Sequence, residues 1–158
     1  MEFSRSRSTP QSDNTLAKEL YRAYLDEFNA IMGYSQYAVA LEPFSPTVAA
    51  LFTELSLTEM HHFGILARIL RDLGYPYTID TRLKQMPIRI TRDANAAATA
   101  RRLLTQSLAD EQNAARNYRR LAERAGDVAI SGALRGIASD EESHAAAITA
   151  ALAKLERS

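Results

Sequence analysis

Leu57-Thr58-Glu59-Met60-His61-His62 decides the fold when read beside its echo, Ser139-Asp140-Glu141-Glu142-Ser143-His144. Each holds a Glu with a His three residues later, and positions i and i+3 share one face of a helix. The surroundings are apolar at helical spacing. Val48, Phe52, Leu55, Glu59, His62, Leu66, Ile69 and Leu73 step alternately by 4 and 3. Leu134, Ile137, Glu141, His144, Ile148, Leu152 and Leu155 step the same way, with one 4 repeated. Each stripe is the core face of an amphipathic helix with an acid and an imidazole set into its middle. A carboxylate facing a core is costly unless it is paired or binds a metal.

Working outward, two more stripes carry one acid each. Leu20, Tyr24, Glu27, Ile31, Tyr34, Ala38 and Leu41 form the first; Leu104, Leu108, Glu111, Ala115, Tyr118, Ala122 and Ala125 form the second. Helix breakers bound all four. Pro43 and Pro46 end the first helix, which is expected from an N-cap at Asp13 to about Glu42. Gly74 and Pro76 stop the second, expected from about Ser45 to Leu73. The third should run from Asp93 or Asn95 to Gly126, and Asp127 can cap the fourth. Between Gly74 and about Arg92 the helical period is lost, and Ile88-Arg89-Ile90 alternates as an extended segment does. Extended chain covers ~3.3 Å per residue, enough to link the far ends of two helices. The polar, Ser/Arg-rich residues 1–12 read as a flexible tail before a domain spanning 13–158.

The two hairpins repeat one another. Asp26-Glu27-Phe28-Asn29-Ala30 matches Asp110-Glu111-Gln112-Asn113-Ala114, and Glu59 and His62 match Glu141 and His144. In a tight antiparallel hairpin, residues equidistant from the turn sit level, because every residue rises the same ~1.5 Å. Pro43 lies midway between Glu27 and Glu59, and Gly126 midway between Glu111 and Glu141. Both midpoints are the breakers assigned to the turns. Each hairpin therefore sets one Glu level with a Glu-x-x-His pair.

Face to face, the hairpins bring six candidate metal ligands together: Glu27, Glu59, His62, Glu111, Glu141 and His144. This is the carboxylate-bridged dinuclear pattern of helical bundles. Two divalent cations would neutralise the four carboxylates. The donor set suits iron or manganese, with zinc as a redox-inactive occupant. Glu59 and Glu141 are the expected bridges, Glu27 and Glu111 the terminal ligands. His61 points about 100° away from His62 and is not expected to bind. Asp140 is placed to orient His62, and its repeat mate Thr58 to serve His144. Tyr34 and Tyr118 read as core packing, each ~10 Å along its own helix from the nearest Glu; the alternative makes them hydrogen-bond partners or redox-active phenols beside the metals. Gly33, Gly64, Gly132 and Gly136 fall inside helices, where they would allow close helix approach or leave room for an oxidant.

Composition excludes much else. The 158 residues contain no Cys, so disulfides, thiol catalysis and iron–sulfur clusters are ruled out. Lys plus Arg and Asp plus Glu number 19 each, which leaves no net charge to draw the chain to nucleic acid or to an anionic membrane. No apolar run is long enough to span a bilayer, and no secretory signal is evident; a cytoplasmic protein is expected.

In the order E…ExxH…E…ExxH, the chain resembles the ferritin-like superfamily over about residues 14–157. Its second half, Glu111-x6-Tyr118 followed by Asp140-Glu141-x-x-His144, most resembles rubrerythrins. Glu59-Met60-His61-His62 is similar to small bacterial rubrerythrin-like and manganese-catalase-like proteins. The resemblance implies an all-α, ferritin-like four-helix bundle, two helical hairpins joined by a long crossover between helices 2 and 3. It also implies a di-iron oxidoreductase of peroxidase or ferroxidase type, reacting with hydrogen peroxide or dioxygen. Manganese-catalase-like disproportionation and non-catalytic iron buffering are the alternatives. The chain departs from the family in three ways. Ala114 stands where rubrerythrins usually carry a further Glu. Without Cys there is no rubredoxin module, so a separate electron donor is implied. The short remainder after His144 lacks the extra helix of cage-forming relatives, and a homodimer is expected.

Overall fold

Pro43 breaks the first helix where the repeat requires it, and the rest of the architecture follows from that placement. The computed structural model describes residues 11–79 and 96–156. They form four helices: α1 (Gln11–Leu41), α2 (Pro46–Asp72), α3 (Ala96–Arg124) and α4 (Val128–Glu156). There is no strand among the described residues. α1 lies along α2 and α3 along α4; the hairpins meet through α1 against α3 and α2 against α4. This is the expected ferritin-like four-helix bundle.

The helix ends follow local chemistry. Pro46 occupies the first turn of α2, where its missing N–H is no loss. α2 ends in a Schellman turn: the Tyr75 N–H donates to the Leu70 carbonyl (2.8 Å) and the Gly74 N–H to that of Arg71 (3.0 Å). Gly74 has φ +69°, a conformation that costs glycine little and other residues more. Asp127 caps α4 as expected, its Oδ1 accepting from the N–H groups of Ala129 (2.8 Å) and Ile130 (2.9 Å). One boundary differs. α1 begins at Gln11, so Asp13 lies inside the helix rather than at its cap. The tail expected over 1–12 lies outside the described residues except for Gln11 and Ser12, and the crossover, with Ile88-Arg89-Ile90 and the start of α3 at Asp93 or Asn95, lies outside them beyond Ile79.

The core is divided in two. One apolar cluster, including Leu20, Tyr24, Leu66, Leu70, Leu121 and Leu134, fills one end of the bundle. A second, including Leu41, Val48, Phe52, Leu103, Leu104 and Ile148, fills the other. The acids and imidazoles of the four stripes lie between them in sequence register. The two plugs shield that layer from both ends. Deleting one large wholly buried side chain, as in Phe52→Ala, is expected to cost about 3–5 kcal/mol in urea denaturation.

The helical glycines do not perform the roles expected of them. Gly132 and Gly136 are exposed and a Cβ at either would meet nothing within 4 Å, so neither lets helices approach closely nor opens space at the buried layer; a Cβ at Gly33 or Gly64 would make only ordinary contacts, with Tyr37 and Arg68 of its own helix. Gly136→Ala is therefore expected to raise stability by roughly 0.5–1 kcal/mol, read from the urea midpoint. Among the described residues, no helix is long and apolar enough to cross a membrane.

Candidate metal centre

All six candidate ligands are buried, and they converge. Glu27, Glu59, His62 and Glu141 form one set; Glu59, Glu111, Glu141 and His144 form a second. Within each set, one donor atom per residue lies within 4.8 Å of the others. Glu59 and Glu141 belong to both. Their two oxygens divide the work: Glu59 Oε2 is 2.9 Å from His62 Nδ1, and its Oε1 is 3.1 Å from His144 Nδ1. Glu141 Oε1 is 3.1 Å from His62 Nδ1, and its Oε2 is 3.1 Å from His144 Nδ1. Glu111 Oε2 adds a third carboxylate at 3.2 Å from His144 Nδ1. His61 is exposed, as its helix position requires.

These contacts do not satisfy one another. A single Nδ1–H cannot donate well to two or three carboxylates at once. Glu59 Oε1 and Glu141 Oε1 are left buried without a properly aimed hydrogen bond. Such orphaned acceptors are rare in native interiors. A cation has no single donor direction and can serve several oxygens together, so this donor set fits a pair of metal ions.

The electrostatics point the same way. Burial and the Glu59 and Glu141 charges push the Glu27 carboxyl well above its usual range. Burial also raises Glu111, to about 8, despite a hydrogen bond from His144 that pulls it down. Burial would lower both imidazoles, but the surrounding carboxylates outweigh it. His62 is pushed up to about 11 by Glu141 and Glu59. His144 is pushed up to about 12 by Glu111, Glu141 and Glu59. Burial opposes ionisation of Glu141 as well, yet bonds from His144 and His62 hold it down at about 2. With no cation at the centre, protons on Glu27 and Glu111 neutralise two of the four carboxyls, and those on the two imidazoles balance the other two.

Two tyrosines do more than pack. The Tyr34 hydroxyl donates to Glu111 Oε1, and the Tyr118 hydroxyl to Glu27 Oε1. Each phenol serves the acid of the other hairpin, a pairing that distances along one helix could not reveal. The residue numbers of the two pairs have the same total, as antiparallel packing of α1 on α3 demands. The hydroxyl occupies one oxygen of each terminal carboxylate. Tyr118→Phe leaves Glu27 Oε1 without that donor and is expected to lower stability by about 1–3 kcal/mol in urea denaturation.

Asp140 stands as expected, its Oδ2 3.1 Å from His62 Nε2. Thr58 does not: its hydroxyl donates to the Glu54 carbonyl on its own helix at 3.2 Å. The short side chain satisfies itself within one turn instead of reaching across to His144. On the α1/α3 side, Ala23, Ala30 and Ala114 help leave a cavity of about 120 Å³, lined also by Glu27, Glu59, Glu111 and Glu141. Sites for drug-sized ligands enclose roughly 300–1,000 Å³; this one suits a very small molecule. On the surface, Arg119 pairs with Glu142, and Arg120 and Arg124 clamp Glu19, tying α3 to α4 and α1. Arg124 leads in holding the Glu19 carboxyl below its usual range.

Among solved structures, the fold is similar to bacterioferritin from Rhodobacter capsulatus, described with a metal-free dinuclear site and heme iron. The match has 22% identity and TM-score 0.74, over 91% of this chain and 87% of that one. It is also similar to a dodecameric thioferritin, a bacterioferritin-related protein from Bacteroides fragilis, at 20% identity and TM-score 0.77, over 92% and 88%. A ferritin-like di-iron-carboxylate protein from Bacillus anthracis aligns at 18% identity and TM-score 0.54, over 93% and 96%. No curated protein sequence matches. The family model described as rubrerythrin matches residues 18–152. With that match taking in most of the bundle and part or all of each helix, the chain belongs to the rubrerythrin family of the ferritin-like superfamily.

Proposed function

We propose that Glu27, Glu59, His62, Glu111, Glu141 and His144 bind two iron ions, and that the centre reduces hydrogen peroxide or dioxygen. The observation that carries this reading is the pair of ligand sets sharing Glu59 and Glu141, each shared carboxylate with an orphaned oxygen. Two adjacent redox ions supply two-electron chemistry toward an O–O bond. The chain's own residues do the rest. Glu59 and Glu141, which belong to both donor sets, would help hold both ions. Tyr34 and Tyr118 direct the free oxygens of Glu111 and Glu27 inward and keep a hydroxyl proton beside each carboxylate. The apolar clusters on either side keep water away from the layer. The space of about 120 Å³ beside these carboxylates is of a size for a diatomic oxidant or peroxide. The proposal includes an electron donor other than these 158 residues, which hold no Cys for an iron–sulfur or rubredoxin-type relay. The proposal includes a cytoplasmic homodimer.

Elemental analysis of protein purified without added metal, paired with peroxide consumption, tests the reading. Two iron ions per chain and peroxide loss that needs an added reductant are expected. Oxygen evolution from peroxide by the protein alone would make it a manganese-catalase-like enzyme. Stoichiometric iron uptake without turnover would make it an iron carrier.

A further inference from the structure

The internal repeat makes the two halves of the centre directly comparable. Both ligand sets use Glu59 and Glu141. Each has one terminal carboxylate held by a tyrosine from the other hairpin. Each has one histidine whose Nδ1 faces the shared acids. They differ behind the histidines. His62 Nε2 meets Asp140, the residue before Glu141. The residue before Glu59 is Thr58, whose hydroxyl is turned to the Glu54 carbonyl. Among the described residues, no carboxylate stands behind His144 Nε2. His62 is 0% exposed and His144 8%.

A carboxylate behind a ligating imidazole fixes its tautomer, orients the ring and strengthens the donor nitrogen. As an ion displaces the Nδ1 proton, the carboxylate keeps the remaining proton on Nε2 and holds the ring in place. His144 Nδ1 faces the carboxylates as well, but among the described residues no carboxylate holds the proton on its Nε2 once an ion binds. We infer that the two metal positions are unequal: the Glu27–His62 position holds its ion tightly, and the Glu111–His144 position is the weaker, exchangeable one. Loss of such an outer partner typically costs about 10–100-fold in affinity. Asp140 has a side chain 53% exposed, so solvent screening sets the difference near the lower end, roughly tenfold. The chain then passes through a stable one-ion state, and the ion beside His144 is the one that exchanges with solution. This inference rests on the two-ion reading above.

Calorimetric titration of metal-stripped protein with Co(II) alone tests it, the visible bands of bound Co(II) counting the equivalents. Wild-type protein should bind two ions in two resolved steps, about tenfold or more apart. Thr58→Asp supplies the missing partner and should tighten the second step toward the first. Asp140→Thr should weaken the first step toward the second. Two equivalents of equal affinity in the wild type would overturn the inequality, and a Thr58→Asp protein with an unchanged second step would overturn its origin behind the histidines; either result leaves the two-ion site intact. A folded protein that takes up no Co(II) would overturn the two-ion reading itself.

Discussion

Glu59→Ala should empty both metal positions, whereas Glu27→Ala should weaken mainly one. Glu59 sends one oxygen toward each histidine, 2.9 Å from His62 Nδ1 and 3.1 Å from His144 Nδ1. Its removal takes a ligand from both sets at once. Glu27 belongs to one set only. Losing a ligand costs more than the roughly 10–100-fold that follows loss of an outer partner. The Glu59→Ala protein should therefore carry only trace metal after dialysis and lose peroxide turnover by more than a hundredfold. Helicity should survive, because each hairpin keeps its apolar stripes on both sides of the site. Metal content per chain, circular dichroism and turnover decide the point together. If Glu59→Ala retained one ion as firmly as Glu27→Ala, the shared role of Glu59 would be wrong.

Metal should stabilise the fold increasingly as pH rises. In the metal-free protein His62 and His144 keep their protons up to about 11 and 12, and Glu111 keeps its own to about 8. The unfolded chain releases its histidine protons near 6.5 and its glutamate protons near 4.3. Between about pH 6.5 and 8 the folded state thus holds more protons than the unfolded one, and stability falls as pH rises. Glu141 acts oppositely: held at about 2, it adds stability above its unfolded value and loses it only as pH falls toward 2. Metal ions take the place of the protons, so their affinity grows with pH. At a hundred times Kd each ion adds about 2.7 kcal/mol, and each kcal/mol raises Tm by roughly 3 °C in a chain of this size. Two ions should therefore raise Tm by about 15 °C. Thermal melts with chelator or with metal from pH 5 to 9 should show the gap widening. A gap that narrows toward alkaline pH would show that the ions do not displace these protons.

The ligands that both experiments address were legible in the sequence, whereas the proton affinities behind the second come from contacts between helices. Glu27, Glu59, Glu111 and Glu141 announce themselves as acids where an apolar residue is due, and that is read from one helix at a time. Pro43 and Gly126 set the levels, because the rise per residue is constant. Asp127 was legible as a cap for the same reason: it bonds residues only two and three positions away. Asp13 misled because helix ends are weakly determined by sequence, and a favourable cap residue can equally sit two residues inside.

The tyrosines and Thr58 mark the opposite limit. Tyr34 reaches Glu111 across 77 residues, and Tyr118 reaches Glu27 across 91. Measured along its own helix, each phenol looks too far from any acid. Asp140 and Thr58 hold equivalent places in the repeat, yet one reaches a histidine and the other bonds its own backbone. A longer charged side chain can span the gap between helices, while a hydroxyl finds a nearer partner. The cavity beside Ala114 also exists only once α1 lies against α3.

By itself the sequence determined four amphipathic rods, the places where they turn, and the six acids and imidazoles that the rods bury between them. These follow from helical periodicity and from the cost of an unpartnered acid, both properties of neighbouring residues. Tertiary structure alone decided which phenol guards which carboxylate, which imidazole has an acid behind it, and where space remains beside the centre. Those outcomes depend on the rotation and register of helices far apart in the chain, which side-chain packing sets and local spacing does not encode.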